Sequence, residues 1–174
     1  IWMFPIAVTV GNCFVLKPSE KVPLTSQILG HLMKEAGYPP GVFSIVNGGK
    51  DVVHALIDSP DTAAVAFVGS TPIAKDVYIR STSAGKRCLA LGGAKNHLIL
   101  VPDADEDIAV QGLVDSFTGC AGQRCMAASL LVAVGDVDPL LNKIKERAAS
   151  INLGEGMGAI IDEKSRERMN GIVS

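Results

Sequence analysis

Gly122-Gln123-Arg124-Cys125 places a thiol beside a permanent cation in a stretch that glycine opens to unusual backbone geometry. The thiolate is the reactive form of cysteine, and an adjacent guanidinium favours it, so Cys125 is a candidate nucleophile. The same letters also describe a small buried hydrophobe, the commonest setting of cysteine in a folded chain.

Three other segments could bind ligands. Val68-Gly69-Ser70-Thr71-Pro72 ends an apolar run and opens a helical one. Gly69 lets a phosphate approach the backbone, Ser70 supplies a hydroxyl, and a helix start offers free N–H groups. An ordinary Ser/Thr cap with proline behind it satisfies the same letters. Lys17-Pro18-Ser19-Glu20-Lys21 follows a strand-like run ending at Leu16. Beyond the carboxyl end of a strand, a carboxylate such as Glu20 can accept both hydroxyls of a ribose, and Lys17 or Lys21 can hold a hydroxyl or phosphate. The competing reading is a solvated charged turn. Leu91-Gly92-Gly93-Ala94-Lys95-Asn96-His97 is a small-residue turn between two strand-like runs. Its glycines permit close backbone approach, and His97 reads as a packed, hydrogen-bonded residue rather than a ligand.

The elements that must position these residues follow from apolar periodicity. Helices are predicted over 2–10, 23–36, 51–57, 72–79, 108–117 and 139–149, and strands over 13–16, 43–46, 63–68, 87–91, 97–101 and 130–134. In the second helix, Leu24, Ile28, Leu32 and Ala36 at four-residue spacing, with Leu29 and Met33, form the expected core stripe. Short, nearly continuous apolar strands alternating with helices predict an α/β fold with a parallel sheet covered on both faces. Residues 1 to about 85 read as half of a doubly wound nucleotide-binding sheet, and the remainder also as α/β. The domain boundary is expected within Lys86–Gly93, dividing the chain into 1–88 and 89–174.

Composition narrows the function classes. Of 174 residues, 48% are hydrophobic and 20% charged, and the net charge is −2 with the signs interspersed, which is the make-up of a folding chain without the basic stripe of a nucleic-acid binder. Cys13, Cys88, Cys120 and Cys125 lack paired spacing, and three scattered histidines add no metal-ligand pattern, so no metal and a reducing intracellular setting are expected. No apolar run reaches the ~20 residues a membrane span needs. The first residue is Ile with no Met before it, which reads as a segment of something longer.

The ordered set Lys-Pro-Ser-Glu, Phe-Val-Gly-Ser, Gly-Ala-Lys-Asn and Gly-Gln-Arg-Cys resembles the aldehyde dehydrogenase superfamily across essentially the entire chain. Gly93-Ala94-Lys95-Asn96-His97, Gly122-Gln123-Arg124-Cys125-Met126 and Trp2-Met3-Phe4-Pro5 resemble its coenzyme-A-acylating methylmalonate-semialdehyde dehydrogenase branch. The resemblance implies an aldehyde dehydrogenase-like fold, part of a Rossmann-type sheet domain followed by the start of an α/β catalytic domain. It implies that Cys125 is the nucleophile, that Lys17 and Glu20, with Lys21 beside them, take the adenosine ribose of NAD, and that Gly69 and Ser70 take the pyrophosphate.

One departure from the superfamily pattern has chemical content. Most members carry Glu-Leu-Gly-Gly-Lys-Asn, whose Glu activates water for deacylation. Aligned on Lys95-Asn96, that position is Leu91, or Ala90 with a one-residue shift, and neither takes a proton. A cysteine thioester without a base for water awaits a better nucleophile, and a thiol is one. The implied reaction is NAD-dependent oxidation of methylmalonate or malonate semialdehyde through a Cys125 thioester, with loss of carbon dioxide and transfer to coenzyme A. Arg124 is then either the clamp for the substrate carboxylate or a neighbour that favours the thiolate. A hydrolytic aldehyde dehydrogenase and a non-catalytic NAD-binding relative are the competing readings. The resemblance also places an oxyanion Asn before residue 1 and a nicotinamide-ribose Glu after residue 174. It implies an isolated segment without activity, a homo-oligomer (dimer or tetramer) at full length, and a cytoplasmic location if bacterial or the mitochondrial matrix if eukaryotic.

Overall fold

The computed structural model describes residues 2–174. Its elements alternate as expected: α1 (Phe4–Thr9), β1 (Phe14–Leu16), α2 (Leu24–Glu35), β2 (Phe43–Ile45), α3 (Lys50–Asp58), β3 (Ala64–Val68), α4 (Thr71–Ser83), β4 (Arg87–Leu91), β5 (Asn96–Leu100), α5 (Glu106–Thr118), β6 (Ala128–Ala133), α6 (Asp138–Ala149) and α7 (Glu163–Val173). The strands pair in parallel as β1 with β2, β3 with β4 and β5 with β6, each pair bridged by a helical crossover. Consecutive β-α-β units are how parallel strands are connected, and they make this an α/β fold. The chain divides into two compact units, the first ending at Gly92 and the second running from Gly93 to Ser174. No described helix is long and apolar enough to cross a membrane.

In the first unit, aromatic packing accompanies the β1–β2 register. Phe14 and Phe43 are register partners whose rings stack at 6.3 Å, and Phe4 of α1 packs on Phe43 at 4.8 Å. Offset aromatic pairs of this kind favour one register over its neighbours. Helix α2 meets β2 through Gly30, where a Cβ would lie 2.7 Å from Ile45 Cδ1. That close approach turns Leu29, Gly30 and Met33 inward and leaves Leu24, Ile28 and Leu32 exposed, so only part of the expected core stripe is buried. Helices α3 and α4 are tied by His54–Asp76 and by Arg80–Asp58. The Lys86 ammonium donates to the carbonyls of Ile57 and Ser59, both at 2.5 Å, and so satisfies the C-terminal end of α3.

The second unit is built on one apolar cluster. Leu100 of β5, Leu113 and Val114 of α5, Val137, and Leu140 and Ile144 of α6 are buried together. Asp105 caps α5 by accepting from the Ile108 N–H at 2.9 Å, and Asp162 caps α7 by accepting from Ser165 at 2.8 Å. Helix α7 and a short turn over Gly119–Gly122 are elements that the periodicity does not predict.

Candidate active site

In the first unit, Lys17 follows the last residue of β1 and Gly48 lies just beyond β2, at the carboxyl ends of two paired parallel strands. In open α/β sheets that edge is where ligands collect. Lys17 Nζ donates to the carbonyls of Pro18 at 2.6 Å and Gly48 at 3.1 Å, and lies 3.6 Å from Glu20 Oε2. The Lys17 side chain is only 17% exposed and that of Glu20 61%, so the lysine is held and the carboxylate is presented outward. A hydrogen bond from its own backbone, then the charge of Lys17 and more weakly that of Lys21, hold the Glu20 carboxyl below the ordinary glutamate value. The Lys21 N–H donates to Ser19 Oγ at 3.3 Å, which folds the turn. Lys17, Glu20 and Lys21 thus form one group. Gly48 is a member that sequence reading missed. The signal was present as Gly48-Gly49 between a strand and a helix, but its use as an acceptor for Lys17 is a tertiary fact.

Gly69 and Ser70 form a second group, at the carboxyl ends of β3 and β4. The Gly69 N–H donates to the Leu91 carbonyl at 3.1 Å, extending the β3–β4 pairing to the turn. A Cβ on Gly69 would lie 2.5 Å from Cζ of the Phe67 ring of β3, and one on Gly92 would lie 3.0 Å from Thr71 Oγ1, so Gly69 makes room for that ring and Gly92 lets the backbone after β4 approach the start of α4. Ser70 occupies the N-cap position with extended backbone, but its hydroxyl accepts no helix N–H. The capping letters are present, and the capping bond is not made. Helix α4 begins one residue before Pro72, which stands at its second position rather than its first.

In the second unit, the Gly119–Gly122 turn is left-handed. Cys120 has φ 52° and Ala121 φ 53°, two non-glycine residues in a sparsely populated region, followed by Gly122 at φ 71°. This turn carries the chain from the end of α5 to Cys125, which is exposed. Gln123 fastens it: Nε2 donates to Cys120 O at 2.9 Å and Ala159 O at 3.2 Å, while Oε1 accepts from the Ile161 N–H at 3.0 Å. Arg124 Nη2 donates to the carbonyls of Asp115 and Ser116 in the last turn of α5, where a cation suits the helix dipole. A side chain on Gly119 would collide with that guanidinium. Arg124 also lines a cavity of about 300 Å³ with Gly112, Asp115, Ser116 and Met126.

Asn96 is the other residue whose part was not legible. Its side-chain amide donates to Cys125 O at 2.7 Å and to Ala127 O at 2.9 Å. His97 Nδ1 lies 2.9 Å from Lys95 O, the hydrogen bond expected of it, but the residue is exposed rather than packed, because its position on β5 faces away from the buried cluster that holds Leu100. Among the described residues, no cluster of three or more His, Cys, Asp or Glu is arranged to hold a metal ion.

The family profile described as the aldehyde dehydrogenase family matches residues 1–174. The chain belongs to that family. Among aldehyde dehydrogenase relatives, malonate-semialdehyde dehydrogenase 1 of Geobacillus kaustophilus is 47% identical over 179 residues, covering 99% of this chain and 37% of its own length. Malonate-semialdehyde dehydrogenase of Lacticaseibacillus casei is 48% identical over 96% of this chain and 35% of its own. The crystal structure of methylmalonate-semialdehyde dehydrogenase from Oceanimonas doudoroffii superposes with a TM-score of 0.87 at 46% identity, over 99% of this chain and 37% of that one. A Sinorhizobium meliloti 1021 homologue solved in complex with NAD gives a TM-score of 0.87 at 43% identity, over 99% of this chain and 37% of its own. The chain therefore has the aldehyde dehydrogenase-like fold and spans a little over a third of the length of the curated relatives it matches.

Proposed function

We propose that this chain is the cofactor-binding and nucleophile-bearing portion of an NAD-dependent, coenzyme-A-acylating semialdehyde dehydrogenase acting on malonate or methylmalonate semialdehyde. The observation that carries the reading is Cys125 itself: exposed, preceded by a strained left-handed turn, and held in place through Gln123 and the carbonyl that Asn96 binds. The malonate- and methylmalonate-semialdehyde dehydrogenases among its relatives support the substrate class.

The first unit fits a dinucleotide. Glu20 presents an ionised carboxylate beside Lys17, as two ribose hydroxyls require, with Lys21 next to them. Gly69 leads into the start of α4 without a side chain, and there Ser70 offers a hydroxyl not engaged in capping, as a pyrophosphate requires. NAD, when bound, supplies the hydride acceptor.

Cys125 Sγ attacks the aldehyde carbon, and the carbonyl oxygen becomes the oxyanion of a thiohemiacetal. Departure of hydride from that carbon leaves a thioester on Cys125. A carboxylate β to the thioester carbonyl leaves as carbon dioxide, its bonding pair delocalises into the thioester as an enolate, and a proton restores the acyl group. The thiol of coenzyme A then takes the acyl group and Cys125 is released as thiolate. Neither Leu91 nor Ala90 offers a proton acceptor where the superfamily pattern has its water-activating Glu, which favours thiolysis over hydrolysis. Arg124 holds the substrate carboxylate with the N–H groups that α5 does not engage. The working enzyme is a homo-oligomer, cytoplasmic in a bacterium or in the mitochondrial matrix in a eukaryote, and the 174-residue segment alone has no turnover. NADH formation by the intact enzyme, with and without coenzyme A, tests the acyl acceptor. A steady-state rate that depends on coenzyme A is expected, and equal rates would establish the hydrolytic reading instead.

A further inference from the structure

We infer that Asn96 is a positioning residue for Cys125, an assignment that rests on Cys125 being the nucleophile. The Arg124 carbonyl accepts from the Ala127 N–H at 3.0 Å, so residues 124–127 form a tight turn with Cys125 at its first corner. The Cys125 carbonyl projects from that turn and takes no part in closing it. Asn96 binds it: the two N–H groups of one side-chain amide reach Cys125 O at 2.7 Å and Ala127 O at 2.9 Å. Both carbonyls that flank the Met126 corner are thus gripped by one planar donor. The peptide plane after Cys125 is fixed by this grip, and with it the direction in which the Cys125 backbone presents its side chain.

Asn96 can act as an anchor because it is itself fixed. The β5–β6 ladder is irregular here: Asn96 pairs with Ala128 and His97 with Leu130, leaving Ser129 as an extra residue. The Ser129 hydroxyl accepts from the Asn96 N–H at 3.0 Å and donates to the Asn96 carbonyl at 3.3 Å. The bulge therefore clamps the Asn96 backbone, and the side chain transmits that rigidity to the nucleophile loop. The first residue of β5 and a cysteine 29 residues later thus form one device.

Asn96→Asp in the intact enzyme tests this. The substitution keeps shape and replaces the donor with oxygen facing two carbonyls. Measured quantities are the iodoacetamide alkylation rate of Cys125 by peptide mass spectrometry, kcat, KM for NAD, and the thermal midpoint. Leu140→Ala, in the core of the same unit, serves as a comparator for destabilisation alone. Misplacing a reacting group by about 1 Å costs roughly a hundredfold, so alkylation rate and kcat are expected to fall about ten- to a hundredfold with KM for NAD unchanged. Leu140→Ala should lower the midpoint and leave Cys125 alkylation as in the wild type. If Asn96→Asp does not fold, Asn96→Ala, which removes the donors without adding charge, carries the same comparison. A Cys125 that stays as reactive in the variant as in the wild type overturns this proposal alone. A wild-type Cys125 no faster than Cys13 or Cys88 overturns the nucleophile reading and the positioning role with it.

Discussion

Gly48→Ala separates backbone geometry from cofactor binding. Gly48 has φ 154°, and a Cβ added there would overlap Val52 Cγ2 and lie 2.8 Å from Val52 Cβ. Val52 is β-branched within α3 and has few rotamers to escape into, so the backbone at Gly48 must move instead. Disfavoured backbone of this kind costs about 1–3 kcal/mol and overpacking a further 1–3, so a loss of roughly 2–6 kcal/mol in stability is expected. The moving atom that matters is the Gly48 carbonyl, which holds Lys17 Nζ at 3.1 Å. A hydrogen bond to a charged group contributes about 1.5–3 kcal/mol, so even partial loss should weaken NAD binding roughly tenfold. Gly49→Ala is the control, because Gly49 has φ −91° and a Cβ there meets nothing within 4 Å. That change should cost under about 1 kcal/mol, the usual penalty of alanine at a helix N-cap. Urea denaturation and titration calorimetry with NAD on both variants provide the readouts. Equal stability of the two variants would refute the steric argument. Unchanged NAD affinity in Gly48→Ala would refute the claim that Gly48 positions Lys17.

Glu20 supplies a pH prediction with a definite sign. Its folded carboxyl lies below the ordinary glutamate value of 4.5, so its contribution to stability is fully present above that value and is lost as pH falls through the lower folded one. NAD affinity should therefore show no Glu20 titration at neutral or mildly acidic pH, and Glu20→Gln should weaken binding across that range; an affinity that already falls with protonation of Glu20 near neutrality contradicts the assignment. Leu91→Glu places a carboxylate at the end of β4, and NADH turnover without coenzyme A should rise, whereas an unchanged rate would mean that the missing base does not decide the acyl acceptor. Lys86→Met removes the half-buried ammonium that binds the Ile57 and Ser59 carbonyls and should destabilise the protein by about 1–3 kcal/mol in urea melts, with no effect on Cys125 alkylation.

Local chemistry in the sequence was enough to locate most elements. Arg87–Leu91 is a strand with the predicted limits because its neighbours Gly85 and Gly92 punctuate it. Helix α2 ends where Gly37, at φ 86°, must follow it. Helix α4 runs to Ser83 rather than Ile79 because polar Ser81, fully buried, continues it, and hydrophobic periodicity gives no sign of that. Helix α7 escaped prediction because its residues are mostly polar and none is buried.

The motifs Lys17–Lys21, Gly69-Ser70 and Gly122–Cys125 were visible as letters because each concentrates its chemistry within a few residues. What each letter does was settled only by partners distant in the chain. Ser70 has the letters of a cap and does not use its hydroxyl as one. Arg124 binds α5 carbonyls eight and nine residues away. Gly48 holds Lys17 across 31 residues, and Asn96 holds Cys125 across 29. Periodicity and turn chemistry act through neighbours and are therefore written in the sequence, whereas hydrogen bonds between separate strands and loops exist only once parallel pairing has brought their ends together.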